Sequence, residues 1–200
     1  MPRHYYKDIV LELKPEVYEP LEDSELLAEA VEKEIVIARR ILGNGMISFL
    51  DLGCGSGLIA IVAAKAGVKV TAVDISKEAV ELTERNAKSN NVLIECMRSD
   101  LLDSVNGKFD IIAFNAPYLP EETKKGNQSW AAGENLQIIR RAVEQVKGRL
   151  NPNGVLMMAI SSLTGVGKVG KLLESSGFSW QTAAERKVPW ERLLVLKAVL

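Results

Sequence analysis

Four consecutive residues, Asn115-Ala116-Pro117-Tyr118, hold groups able to grip a planar NH2. They follow the apolar run Phe109 to Phe114, which reads as a buried strand. An amide, a carbonyl ahead of a proline and an aromatic ring thus meet at a strand end. A second constellation lies upstream in Asp51-Leu52-Gly53-Cys54-Gly55-Ser56-Gly57. Its glycines let the backbone turn tightly and come close to a ligand. The helix expected from about Leu58 aims its free N–H groups at that ligand.

Charge at this loop decides between ligands. A dinucleotide fingerprint needs G-x-G-x-x-G, and the sixth position counted from Gly53 is Leu58. The spacing is instead G-x-G-x-G, with Asp51 ahead of it. A carboxylate there repels a pyrophosphate and suits a cation. S-adenosylmethionine (AdoMet), with its ammonium and sulfonium, answers that description. Asp74, 17 positions after Gly57, ends the next expected strand, where it can accept from both ribose hydroxyls. Ser99-Asp100-Leu101 follows a third strand. Asp100 is placed to reach the adenine amino group or to cap a helix, and Leu101 can offer its N–H to the ring.

The two constellations together point to methyl transfer onto an amide or amino nitrogen. An amide nitrogen is a poor nucleophile, so orientation must replace deprotonation. The Asn115 oxygen accepts one N–H, the Ala116 carbonyl the other, and the Tyr118 ring packs against the substrate. Pro117 biases Ala116 towards extended geometry. Taken singly, Asn115 would read as a turn cap and Tyr118 as a core aromatic.

The elements that must position these groups alternate. Leu27, Val31, Ile35, Ala38 and Leu42 recur at helical spacing over 24–42. Asp23 or Ser24 is expected to cap that helix, and Gly43-Asn44-Gly45 to end it. Strands follow at 46–50, 68–73, 92–97, 109–114 and 155–160, with helices at 58–65, 77–89, 136–150 and about 166–176. Asn151-Pro152-Asn153-Gly154 reads as a turn and 119–134 as a loop. Residues 178–186 and 193–199 form a final antiparallel pair. This pattern predicts an α/β, doubly wound, mostly parallel seven-stranded sheet in one domain.

Composition narrows the classes. Of 200 residues, 47% are hydrophobic and 26% charged, with a formal net charge of −1. That balance gives no bulk attraction to nucleic acid. The only cysteines are Cys54 and Cys96, and the only histidine is His4, read as lying near a frayed terminus. No His/Cys metal site is expected. No signal peptide or membrane-length apolar run is present. A cytoplasmic protein with reduced thiols is the expectation.

The glycine loop, Asp74, Asp100 and Asn115 to Tyr118 resemble the HemK/PrmC release-factor glutamine methyltransferases. Val17-Tyr18-Glu19-Pro20-Leu21-Glu22-Asp23-Ser24 resembles the "VYEPAEDT" segment of their archaeal and eukaryotic branch, and Ser129-Trp130-Ala131-Ala132-Gly133 its "AWAGG" segment. The resemblance implies a Rossmann-like class I methyltransferase fold. It implies an N-terminal segment and helix over 1–45 and a cofactor-binding and catalytic core over 46–200, without the bacterial branch's helical domain. It adds Tyr18, Pro20, Ser24 and Ile75 to the cofactor set of Asp51, Gly53, Gly55, Gly57, Asp74, Asp100, Leu101 and Asn115. Ser24 is expected at the methionine end, and Trp130 as one wall of the substrate site or a buried anchor.

The resemblance also implies N5-methylation of the Gly-Gly-Gln glutamine of a class I release factor. A small zinc-binding activator is expected to pair along the edge strand 92–97, an edge that otherwise invites aggregation. Ala116 stands where the family has proline; its carbonyl survives, but it adds an N–H that needs a partner. Adenine N6-methylation of DNA or RNA is the rival activity, without a target-recognition region or basic groove to support it. A non-catalytic AdoMet-binding scaffold is the third reading.

Overall fold

The computed structural model describes residues 2–43, 45–117 and 132–200, with no side-chain placement for 132–135. Seven strands form one sheet: β3 (Ser48–Leu52), β4 (Lys69–Asp74), β5 (Glu95–Arg98), β6 (Phe109–Asn115), β7 (Leu150–Ser161), β8 (Ser179–Val188) and β9 (Glu191–Val199). Their order is β5-β4-β3-β6-β7-β9-β8. The first five are parallel, and β9 runs antiparallel to both β7 and β8. This is the doubly wound sheet with an antiparallel final pair that the sequence implies.

Apolar runs build the central strands because both faces are covered. Helices α1 (Glu22–Leu42) and α2 (Leu58–Lys65) bury Leu27, Val31, Ile35 and Ile61 with Phe49, Ile111 and Met157 on one face. Helices α4 (Ala132–Lys147) and α5 (Val166–Ser175) bury Ile139, Val143 and Leu173 with Leu50, Ile112 and Met158 on the other. Helix α3 (Lys77–Ser89) is N-capped by Ser76, whose Oγ accepts from the Ala79 N–H at 3.2 Å.

Several boundaries differ from the sequence reading. The N-terminus is not frayed: β1 (Arg3–Tyr6) and β2 (Ile9–Glu12) form a hairpin, with His4 in β1. Two asparagines one turn apart, Asn86 on α3 and Asn90 at its C-cap, hold it. Asn86 accepts from the Glu12 N–H (2.8 Å) and donates to its carbonyl (3.1 Å). Asn90 accepts from the Val10 N–H (3.1 Å) and donates to its carbonyl (2.8 Å). These amides stand in for a neighbouring strand, and Asn86 also donates to the Ser56 carbonyl in the glycine loop at 2.8 Å. Helix α4 starts at Ala132 rather than 136, inside the expected loop, and Leu150 belongs to β7. Asn151 to Gly154 does not end an element. It is an irregularity within β7, opposite a register shift between Phe109 and Ile111, with Asn153 at φ 63°.

Among the described residues no helix is long and apolar enough to cross a membrane.

Candidate active site

The chain leaves β3 outward to β4 and β5, then returns to β6 on β3's other side. Ligands of open α/β sheets bind where the order reverses, beyond the carboxyl ends of the strands. Leu52 pairs with Phe114 there. Gly53 and Asn115 therefore leave adjacent strands side by side, about 5 Å apart. The glycine loop and the Asn-Ala-Pro segment share one crevice.

The loop is held open by backbone geometry. Gly53, Gly55 and Gly57 have φ of 75°, 52° and 88°. A Cβ on Gly57 would lie 3.0 Å from Thr83 Cγ2 and Oγ1, so both torsion and space require glycine. Thr83 donates to the Gly55 carbonyl at 3.1 Å. Asp74 ties the loop from the other side, its Oδ2 accepting from the Gly55 N–H (3.0 Å) and its Oδ1 from the Ser76 N–H (2.9 Å).

Two carboxylates lie in this poorly hydrated place. Asp51, 1% exposed, accepts only from the Ala60 N–H, at 3.0 Å, among the described residues. Burial pushes its carboxyl up to about 7, with Asp74 adding to the rise and the Ala60 N–H opposing it. Burial also raises Asp74, against the N–H bonds from Ser76, Gly55 and Ile75. Burial lifts the Cys54 thiol well above its usual value and Cys96 up to about 12, so neither offers a ready thiolate. Two carboxyls made reluctant to ionise are the donor set a cation restores, and glycines at positive φ leave room for it. The residues fit AdoMet.

The strand-end amide is more tightly built than its sequence suggests. Asn115 donates through Nδ2 to Asp23 Oδ2 (2.9 Å) and to Ser24 Oγ (3.0 Å). Its Oδ1 is buried and accepts no hydrogen bond among the described residues. Tyr18 donates to Asp23 Oδ2 at 3.0 Å, and Ser24 to Asp23 Oδ1 at 3.3 Å. Neither Asp23 nor Ser24 caps α1. The cap residue is Leu21, without a side-chain hydrogen bond. The expected cap pair turns inward instead, to an amide 91 and 92 residues away. Pro20 is buried beside it in sequence. Ala116 is buried, and its extra N–H finds the Ala159 carbonyl at 3.3 Å. Pro117 is half-buried.

At the far side, Asp100 already pairs with Arg141 on α4 at 2.9 Å, a partner the sequence reading missed. Leu101 sits at φ 49°, left-handed backbone that costs an ordinary residue about 1 kcal/mol and tends to gather at functional sites. The Leu102 N–H donates to Gln145 Oε1 at 2.8 Å and fixes this bend. Ile75 is exposed beside Asp74. Tyr118 and Trp130 lie outside the described residues. Asp23 had a usable signal, its place within the 17–24 segment, but an Asp-Ser pair before a helix also reads as a cap.

Sheet order, glycine loop and acidic strand ends define an AdoMet-dependent methyltransferase of class I. The chain belongs to the family described as "Methyltransferase small domain", which matches residues 22–187, and within it to the short HemK type. It is 39% identical over 197 residues to the "Putative protein N5-glutamine methyltransferase" of Methanocaldococcus jannaschii, covering 95% of each chain. It is 30% identical over 195 residues to the human "Methyltransferase HEMK2", covering 91% of this chain and 89% of that one. Among solved structures, the E. cuniculi Mtq2-Trm112 complex, described as responsible for methylating the eRF1 translation termination factor, aligns at a TM-score of 0.69 and 26% identity, over 92% of this chain and 98% of that one.

Proposed function

We propose that this chain transfers the AdoMet methyl group to N5 of the glutamine in the Gly-Gly-Gln motif of a class I release factor. The observation that carries the reading is the Asn115 amide: its NH2 is spoken for, and its buried oxygen awaits a donor. A primary amide supplies one N–H to that oxygen and the other to the Ala116 carbonyl. Two acceptors on one NH2 fix the direction of the nitrogen, and such alignment contributes several kcal/mol to a transfer step.

In this reading Asp51, Gly53, Gly55, Gly57, Asp74, Ile75, Asp100, Leu101, Tyr18, Pro20 and Ser24 hold the cofactor. When bound, AdoMet supplies an electrophilic methyl on a sulfonium. Asp51 and Asp74 offset its charge and bind its ribose; Asp100 turns from Arg141 or shares it. The nitrogen becomes acidic once methylated and releases its proton without a strong base. The names of the similar proteins favour glutamine over adenine.

A small zinc-binding activator fits the β5 edge. Among the described residues β5 pairs only with β4; it spans Glu95–Arg98 rather than the expected 92–97, and Leu93, just ahead of it, is 95% exposed. The structural resemblance to a complex with Trm112 favours such a partner. Peptide mapping by mass spectrometry after reaction tests the activity: one added methyl on the Gly-Gly-Gln peptide is expected, and a methyl on any other peptide instead counts against the proposal.

A further inference from the structure

Resting on the reading of Asn115 just given, we infer that Asp23 is a positioning residue that locks the Asn115 amide with its oxygen towards the substrate. An asparagine amide has two near-isosteric orientations, related by a half-turn about a soft terminal torsion. One presents an acceptor to the crevice, the other a donor. A substrate NH2 is served only by the acceptor; the flipped amide sets donor against donor.

Asp23 discriminates between them because a carboxylate only accepts. With Nδ2 inward, the amide meets Asp23 Oδ2 at 2.9 Å and Ser24 Oγ at 3.0 Å. With Oδ1 inward, the same distances would bring an amide oxygen against a carboxylate oxygen in a place where Asp23 is only 2% exposed and water cannot intervene. Ser24 alone could not decide, since a hydroxyl donates or accepts. Here its hydroxyl donates to Asp23 Oδ1 at 3.3 Å, so the carboxylate commits it to accept from Asn115 as well. Tyr18 braces the other oxygen at 3.0 Å. A carboxylate pulling on the NH2 also shifts electron density onto Oδ1, the atom that faces a nitrogen gaining positive charge. Helix α1 forgoes a side-chain cap to keep this arrangement.

The test is a double-mutant cycle on the full chain with AdoMet and the release factor. Asp23→Ala is expected to lower kcat by about 10- to 100-fold with the AdoMet Kd changed less than about threefold. In an Asn115→Ala background the same change is expected to alter residual single-turnover rates by less than about twofold, since residues acting as a unit are non-additive. Asp23→Asn keeps shape and one acceptor while losing the discrimination, and an intermediate kcat is expected even if Asp23→Ala folds poorly. The Asn115 side-chain NH2 resonances, identified by their loss in Asn115→Ala, should move in Asp23→Asn. Full kcat in Asp23→Asn, an undiminished effect without Asn115, or a loss of AdoMet affinity matching the loss of kcat would overturn the inference. Full turnover in Asn115→Ala would instead overturn the reading on which it rests.

Discussion

Asp51→Asn should stabilise this protein in the absence of donor, and most strongly at neutral or higher pH. Asp51 is buried with one hydrogen-bond donor among the described residues and a second carboxylate nearby. Its carboxyl rises from an ordinary 3.8 to about 7, mainly through burial. The folded chain thus holds a proton that the unfolded chain releases between those values. By linkage, stability falls as pH rises from about 4 through 7, and the full penalty is present above 7. The gap converts to roughly 4 kcal/mol, an upper bound because relaxation and entering water soften it. Asparagine retains the acceptor for the Ala60 N–H and removes the charge. A gain of about 1–2 kcal/mol at pH 8 follows, or roughly 3–6 °C in Tm for a chain of this size, shrinking as pH falls through 7 and vanishing only near pH 4. Thermal unfolding of both proteins between pH 5 and 8.5, with and without AdoMet, reads it directly. AdoMet should raise the Tm of the unmodified protein far more than that of the variant. A variant less stable than its parent at pH 8 without donor, or a difference indifferent to pH, would refute the reasoning.

Other perturbations separate the parts of the molecule. Asn115→Ala should lower turnover by about 100-fold or more while AdoMet affinity by calorimetry barely changes, since only alignment is lost. Gly57→Ala, forced against Thr83 at φ 88°, should lose on the order of 1–3 kcal/mol and weaken AdoMet binding. Asn86→Ala strands the Glu12 backbone and the Ser56 carbonyl, so roughly 2 kcal/mol of stability should go, with faster hydrogen exchange in β2. Glu34→Ala removes both acceptors of Lys197 Nζ, each at 2.8 Å between α1 and β9, and should cost roughly 3 kcal/mol in denaturant unfolding, more than Lys197→Met.

What the sequence made legible was local. Helices α2 and α3 have the ends read from their apolar spacing and turn residues, 58–65 and 77–89. The strand ends carrying Asp74 and Asn115 follow from apolar runs that stop. The N-terminal hairpin was illegible because its partner strand is two asparagine side chains on α3 and its C-cap, more than 70 residues away. Asp23 and Ser24 obeyed cap statistics in sequence and a distant amide in space. Asn151 to Gly154 has turn chemistry, and Asn153 does adopt positive φ, but the register shift opposite absorbs it within one strand. Each miss is a long-range hydrogen bond or pairing prevailing over a local preference.

The central claim is tested most directly by methyl transfer from labelled AdoMet to a purified class I release factor, alongside the same factor with its Gly-Gly-Gln glutamine replaced, each with and without the proposed small activator. The account predicts label on the unmodified factor and none on the replaced one. Equal label on both, or label on DNA or RNA oligomers and on neither factor, would contradict it.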